Sequence, residues 1–412
     1  MATALAPTRH ATRRDWSRRA ERHALSLQPD LLAQARANSR AAADPAFLMG
    51  LAHEIALTRH PELTRAYKTL VMVTAGFKKR SRAGIEVLTR SPCVVLVVRR
   101  KWTPEATDTA HAQHLPRWLV TFADRDGQRQ PFALPTDVQL ETGFSNARAH
   151  ARSVWLAQPG FEWEHGAVAL AVSLQSAQGQ VACLLSAQHV FTPRPEVNSN
   201  GVQAGLAARP IDAAGQPASA PVLVTSLPYG GALRGDQDPL RPSLDLQLAR
   251  IDDPAAAGSA VGARQWWPDE PWVRTPARLL ALAATRWFHL LVPENNPQAP
   301  PGRPPLRSQL DALLTQPHAI QYAMRQGGNR VQRWVYHDGL IKLQVKEPPF
   351  ATGGDSGSAV VILQPNDKFT LVGLYIGGDG NVAYAIPAWQ LFDLETYWSF
   401  FPAGAQLTPL SV

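Results

Sequence analysis

Cysteine is scarce in this sequence, lysine is scarcer than arginine, and long apolar runs are missing. Cys93 and Cys183 are the only cysteines, far apart and outside any C-x-x-C spacing, which excludes a disulfide scaffold and a thiolate zinc site. Stability must then come from packing, and a chain of 412 residues with 45% apolar and 18% charged content can build the core that this needs. No apolar run reaches the roughly eighteen residues of a membrane span. The longest candidate, Leu279 to Val292, carries Arg286 and His289. The start, MATALAPTRHATRRDWSRRAERH, is Arg-rich but has no apolar h-region and no cleavage site. A cytoplasmic protein is expected, with no membrane partner.

Only 7 of the 41 basic residues are lysine, and the net charge of +8 is uneven. Residues 1–152 hold 24 Lys+Arg against 13 Asp+Glu; the remainder holds 17 against 20. Basic patches draw nucleic acid, acidic membranes or acidic proteins. The run from Arg13 to Arg22, however, lacks the repeated aromatics of a base-stacking platform. A solvated basic face is the plainer reading, and nucleic acid is not expected as a partner.

The hydrophobic period changes along the chain. Pro29 and Asp44-Pro45 open two helical stretches, PDLLAQARANSRAAA and AFLMGLAHEIALTRH, with a break expected at Pro61. Strand-like segments follow at 70–77, 93–102 and 117–123, the last leading through Asp124-Arg125-Asp126-Gly127 into FALPTDVQL. From about Gly160 many short apolar strands alternate with Gly, Pro and Asp clusters, as in a sandwich or barrel. They include GAVALAVSL, QVACLLSA, APVLVTSL, LDLQLARI, LIKLQV, SAVVIL, FTLVGLYI and NVAYAIP. The stretch 192–243 and the proline-rich Pro293–Pro305 read as surface excursions. This divides the chain into a helical segment, 1–65, a small α+β accessory domain, 66–150, and a mainly β domain, 151–412.

The sharpest local feature is Thr352-Gly353-Gly354-Asp355-Ser356-Gly357-Ser358-Ala359. Glycines on both sides let the backbone turn tightly and project the Ser356 hydroxyl, while the amides of Gly354 and Ser356 can converge as an oxyanion hole. A polar β-turn before a strand is the bland alternative. A serine needs a base, and His189 stands where the apolar strand VACLLSA ends at Gln188-His189-Val190-Phe191. Other histidines, His10, His53, His111 and His114, have no comparable setting. A third group must orient the imidazole; Asp245 in SLDLQLA sits beside alternating apolar residues, although a strand-edge aspartate would look the same.

These three settings, in the order His189, Asp245, Ser356, resemble the chymotrypsin-like (trypsin-fold) serine peptidases, in particular bacterial intracellular members with an N-terminal accessory domain. LLSAQHVF is similar to the family's strand ending in Ala-Ala-His, SLDLQLARI to its Asp-Ile-Ala-Leu strand and GGDSGSAV to its nucleophile turn. LVGLYIGG and VAYAI are similar to the strands that line its specificity pocket. The resemblance covers roughly residues 160–400 and implies a double β-barrel with a catalytic triad in the cleft between the barrels. It also places Phe350 at the pocket base and Gly377, Gly378 and Val382 in its walls. Gln188 replaces the small residue before the histidine, and no Ile-Val-Gly-Gly start precedes the barrel, so Asp355 needs some other partner or simply holds the turn. The region around TAGFKK, CVVLVVRRKW and Leu134-Pro135-Thr136-Asp137-Val138 resembles a domain ahead of some bacterial trypsin-like peptidases.

Other motifs fail. His53-Glu54 is followed by Leu57 where a zincin needs histidine, and no phosphate-binding glycine loop exists. Neither a metal nor a cofactor is expected. The reading is a serine endopeptidase acting on a protein or peptide, by limited proteolysis of a specific intracellular partner, with a regulatory protein partner for the N-terminal domain. The alternative is an inactive peptidase-fold scaffold with a basic N-terminal module that binds a partner or nucleic acid.

Overall fold

The structure is a computed structural model that describes residues 29–67, 69–82, 85–99, 115–140, 145–147, 166–192, 202–208, 224–234, 243–252, 265–293, 296, 299, 304–348 and 350–411. The basic run from Arg13 to Arg22 lies outside these residues. Two compact units divide the chain, Met1–Glu141 and Thr142–Val412.

In the first unit, α1 (Pro29–Ala42) and α2 (Pro45–Ala66) begin where proline costs nothing, because first-turn amides have no helical acceptor. Asp44 caps α2, its carboxylate accepting from Ala46 N at 2.9 Å and Phe47 N at 3.3 Å. The expected break at Pro61 does not occur: α2 continues to Ala66. Buried Ile55, Ala56 and Leu63 lie on both sides of the proline, so packing outweighs the one backbone bond that it removes.

Strands β1 (Leu70–Arg82), β2 (Ile85–Val98), β3 (Trp118–Arg125) and β4 (Gln128–Leu140) form the sheet of this unit. β2 pairs antiparallel with β1 and parallel with β4, and β3 returns antiparallel on β4. The expected turn after β3 is a two-residue hairpin whose Asp126 and Gly127 both take positive φ. Ser39 stitches α1 to β4, its hydroxyl donating to Ala133 O and accepting from Ala133 N, each at 2.9 Å. Helices and sheet share one unit, which ends ahead of the 150/151 boundary read from the sequence.

The second unit is mainly β. After β5 (Ser145–Ala147) come β6 (Leu170–Ser176), β7 (Gly179–Ser186), the short α3 (Gln188–Phe191), β8 (Ala207–Ala208), β9 (Val224–Gly230) and β10 (Gln247–Ile251). With the last strand of the chain they form a six-stranded antiparallel sheet in which β6, β7, β10, β9 and β8 are successive neighbours. Val168, Ala171, Leu184, Phe191, Val224 and Ile251 pack as its core.

Next follow β11 (Gln265–Trp266), α4 (Pro276–Thr285), β12 (Phe288–Leu291), β13 (Leu306–Leu313), β14 (His318–Gln326), β15 (Asn329–His337), β16 (Ile341–Val345), β17 (Ala359–Leu363), β18 (Lys368–Asp379) and β19 (Val382–Pro387). Strands β12, β17, β18, β19, β16 and β13 are successive neighbours, and β13 pairs back onto β12 to close a six-stranded barrel. The β14–β15 hairpin leaves this barrel, and β5 lies parallel to β14. The run Leu279–Val292 divides between α4 and β12, and among the described residues no helix is long and apolar enough to cross a membrane. Short helices α5 (Ala388–Phe392) and α6 (Leu394–Tyr397) lead to β20 (Gln406–Pro409), which pairs with β6 in the first sheet.

Candidate active site

His189 is delivered by the end of β7. The fully buried Leu184 and Leu185 fix that strand, and Ala187 turns it into α3, so the imidazole hangs from a rigid element. Asp245 lies just ahead of β10, which pairs with β7. This register brings together two residues 56 apart in sequence: Asp245 Oδ2 lies 2.6 Å from His189 Nδ1, and Oδ1 accepts from His189 N at 3.2 Å.

Both groups are buried, Asp245 fully. Burial alone would push the Asp245 carboxyl up, but the charge of His189 and its hydrogen bonds, helped by His337, hold it below the usual carboxylate range. An ionised carboxylate can only accept, so Nδ1 carries the hydrogen that faces it, and Nε2 is the nitrogen left to exchange a proton. Nε2 is buried and has no hydrogen-bond partner among the described residues.

Ser356 sits in the turn between β16 and β17. Gly354 and Gly357 take φ of 98° and 91°, which bracket the serine with conformations closed to residues bearing a Cβ. At Gly357 a Cβ would also lie 2.1 Å from Ala167 O and 2.3 Å from Ser186 Oγ. The turn packs against the segment that precedes β6: Ala167 N donates to Ser356 O at 2.7 Å, and Ser186 Oγ donates to Ala167 O at 2.6 Å. A Cβ on Gly166 would meet both Val190, next to His189, and the Ser356 carbonyl. The two motifs therefore share one backbone segment. The Ser356 hydroxyl itself donates to Ile376 O at 3.4 Å.

Asp355 is fully buried and holds the turn. Its Oδ2 accepts from Thr352 N at 2.8 Å and its Oδ1 from Asn296 Nδ2 at 2.9 Å. Asn296 also donates to Gly353 O at 3.1 Å. The Pro293–Pro305 stretch was expected to be a surface excursion, yet it buries this asparagine to 2% exposure. The reason is local: a buried carboxylate needs donors, and an amide supplies them without a second charge.

A pocket of about 300 Å³ opens beside Ser356, lined by Ala351, Thr352, Gly353, Tyr375, Gly377, Gly378, Asp379 and Gly380. Gly377 and Gly378 are both among these lining residues. Phe350 and Val382 are not among the lining residues; Val382, on the neighbouring strand β19, pairs with Asp379. A Cβ on Gly378 would lie 2.1 Å from Val382 O, because β19 runs beside β18 in the same sheet.

Two residues that the sequence reading missed complete the buried network. Tyr322 Oη donates to Asp245 Oδ2 at 2.9 Å and lies 3.1 Å from His337 Nε2, while His337 Nδ1 lies 3.1 Å from Ser243 O. Tyr322 is on β14 and His337 ends β15, both in a hairpin whose strands carry no recognisable motif. Their only sequence signal is polar groups at alternating buried positions.

No family model and no curated protein matches the chain. Among solved structures it is similar to the NS6 protease from murine norovirus 1, at 14% identity over 52% of this chain and 88% of that one, with a TM-score of 0.24. An inactive chimeric form of the murine norovirus NS6 protease is 13% identical over 52% and 91%, with a TM-score of 0.20.

Proposed function

We propose that this chain is a serine endopeptidase of the chymotrypsin-like double-barrel type, with Ser356 as nucleophile, His189 as base and Asp245 as its orienting group. One observation carries the reading: a buried imidazole fixed by a carboxylate at 2.6 Å, its far nitrogen unpartnered among the described residues, beside a residue, Val190, that lies against the same Gly166 as the Ser356 carbonyl. For acylation Ser356 Oγ leaves Ile376 O and turns to His189 Nε2, which takes its proton as Oγ attacks the scissile carbonyl. The amides of Gly354 and Ser356 receive the oxyanion. Collapse passes the proton to the leaving amine, and water repeats the sequence on the acyl-enzyme to release the acid. The substrate is a protein or peptide, the N-terminal unit engages a regulatory partner, and the setting is limited proteolysis in the cytoplasm.

Labelling with a fluorophosphonate tests this. Wild-type protein should label and Ser356→Ala should not. Wild-type protein that never labels, or a variant that labels equally, would favour the inactive scaffold, for which the Ser356 bond to Ile376 O is the supporting contact.

A further inference from the structure

Among the described residues, every hydrogen bond to the Asp245 carboxylate other than that of Tyr322 comes from His189 itself. Without Tyr322, Oδ1 would keep the His189 backbone N–H, and Oδ2 would be held only by the ring that it must orient. Tyr322 supplies the outside anchor, from an element in a different sheet. The anchor is itself fixed: Ser243 N donates to Tyr336 O at 3.1 Å, and Ser243 pairs with His337 as an isolated bridge. Backbone from 243 to 245, Tyr322 and His337 thus form a closed ring of polar contacts. We propose that Tyr322, held on the β14–β15 hairpin, is the positioning residue that fixes Asp245 against His189, an inference that rests on the peptidase reading for its effect on rate.

The hydrogens in the ring determine which contact matters. Ser243 O can only accept, so His337 Nδ1 carries a hydrogen. Burial lowers the His337 pKa to about 4, against the opposing pull of Asp245 and of the Ser243 carbonyl, so the ring is neutral near pH 7 and its Nε2 is an acceptor. The phenol has one hydrogen and two claimants. The ionised carboxylate, nearer and charged, is the stronger acceptor. Burial first and then the Asp245 charge push the Tyr322 phenol well above its usual value, so it keeps that hydrogen. The groups facing Asp245 are His189 from α3, Tyr322 from β14 and, beyond it, His337 from β15.

Tyr322→Phe removes only the oxygen. It should fold, with kcat reduced about tenfold and KM within about twofold, as for the loss of one hydrogen bond to a charged group. In the resting protein, the low-field proton resonance of the His189–Asp245 bond should shift or broaden. In tyrosine-labelled protein, the Tyr322 Cζ resonance should move on Asp245→Asn. Resonances unchanged in both variants would overturn the proposal, as would a rate loss that merely tracks the folded fraction measured in urea. The resonances are read without turnover, so they decide the positioning contact even if wild-type protein never labels, the outcome that would remove the peptidase reading.

Discussion

Asp245 is the residue on which the proposed chemistry turns, because it combines full burial with a charge. Taking a carboxylate out of water is costly unless donors replace the solvent, and three do so here, from His189 N, His189 Nδ1 and Tyr322 Oη. Asp245→Asn keeps the shape but can present an amide N–H to Nδ1, which would turn the imidazole to the wrong tautomer. By analogy with other triads, turnover should fall by about 10⁴ with the fold retained. Steady-state kinetics beside a urea titration checks this, and a variant within tenfold of wild type would show that the carboxylate does not orient the base.

At the scale of the element, the Gly-Asp-Ser-Gly turn is a small structure with its own support. Positive φ at Gly354 and Gly357 sets its path, and Asp355 ties its start to Thr352 N and to Asn296. Asn296→Ala takes one donor from a buried carboxylate and should cost about 1–3 kcal/mol. Asn296→Asp sets a second charge beside Asp355 and should cost more. Fluorophosphonate labelling should slow in the order wild type, Asn296→Ala, Asn296→Asp, with thermal midpoints following. Equal labelling rates and midpoints across the three would mean that the turn holds itself.

At the scale of the whole molecule, stability depends on histidines kept neutral by burial. His318 and His337 both have pKa values lowered to about 4, below the value of roughly 6.5 in an unfolded chain. Between these limits the unfolded state binds protons that the folded state refuses, so stability is full above about pH 6.5 and falls as pH drops towards 4. Each contributes on the order of 3 kcal/mol across that window. Asp245 acts in the same direction lower down, its contribution being lost only as pH falls through its depressed pKa. Urea midpoints should fall steeply from pH 7 to pH 4.5; a flat midpoint over that range would show that the two rings are hydrated.

The amino-acid order alone makes the strands from 166 to 187 and from 358 to 387 legible, because alternating or continuous apolar runs bounded by glycine, proline and aspartate state their own period. It also determined the three candidate catalytic positions, since each sits at a strand end or turn whose chemistry is local. Pro61 was misread for the opposite reason: a helix breaker is a local signal, and the packing of Ile55 and Leu63 that overrides it is not. Which residues stand behind the site emerges from the fold. Asn296, Tyr322 and His337 lie 59 or more residues from Asp355 or Asp245, or reach the latter only through another side chain. Nothing in their own neighbourhoods marks them, because a buried charge takes its donors from wherever the fold brings them, and that choice is made by sheet pairing across long loops.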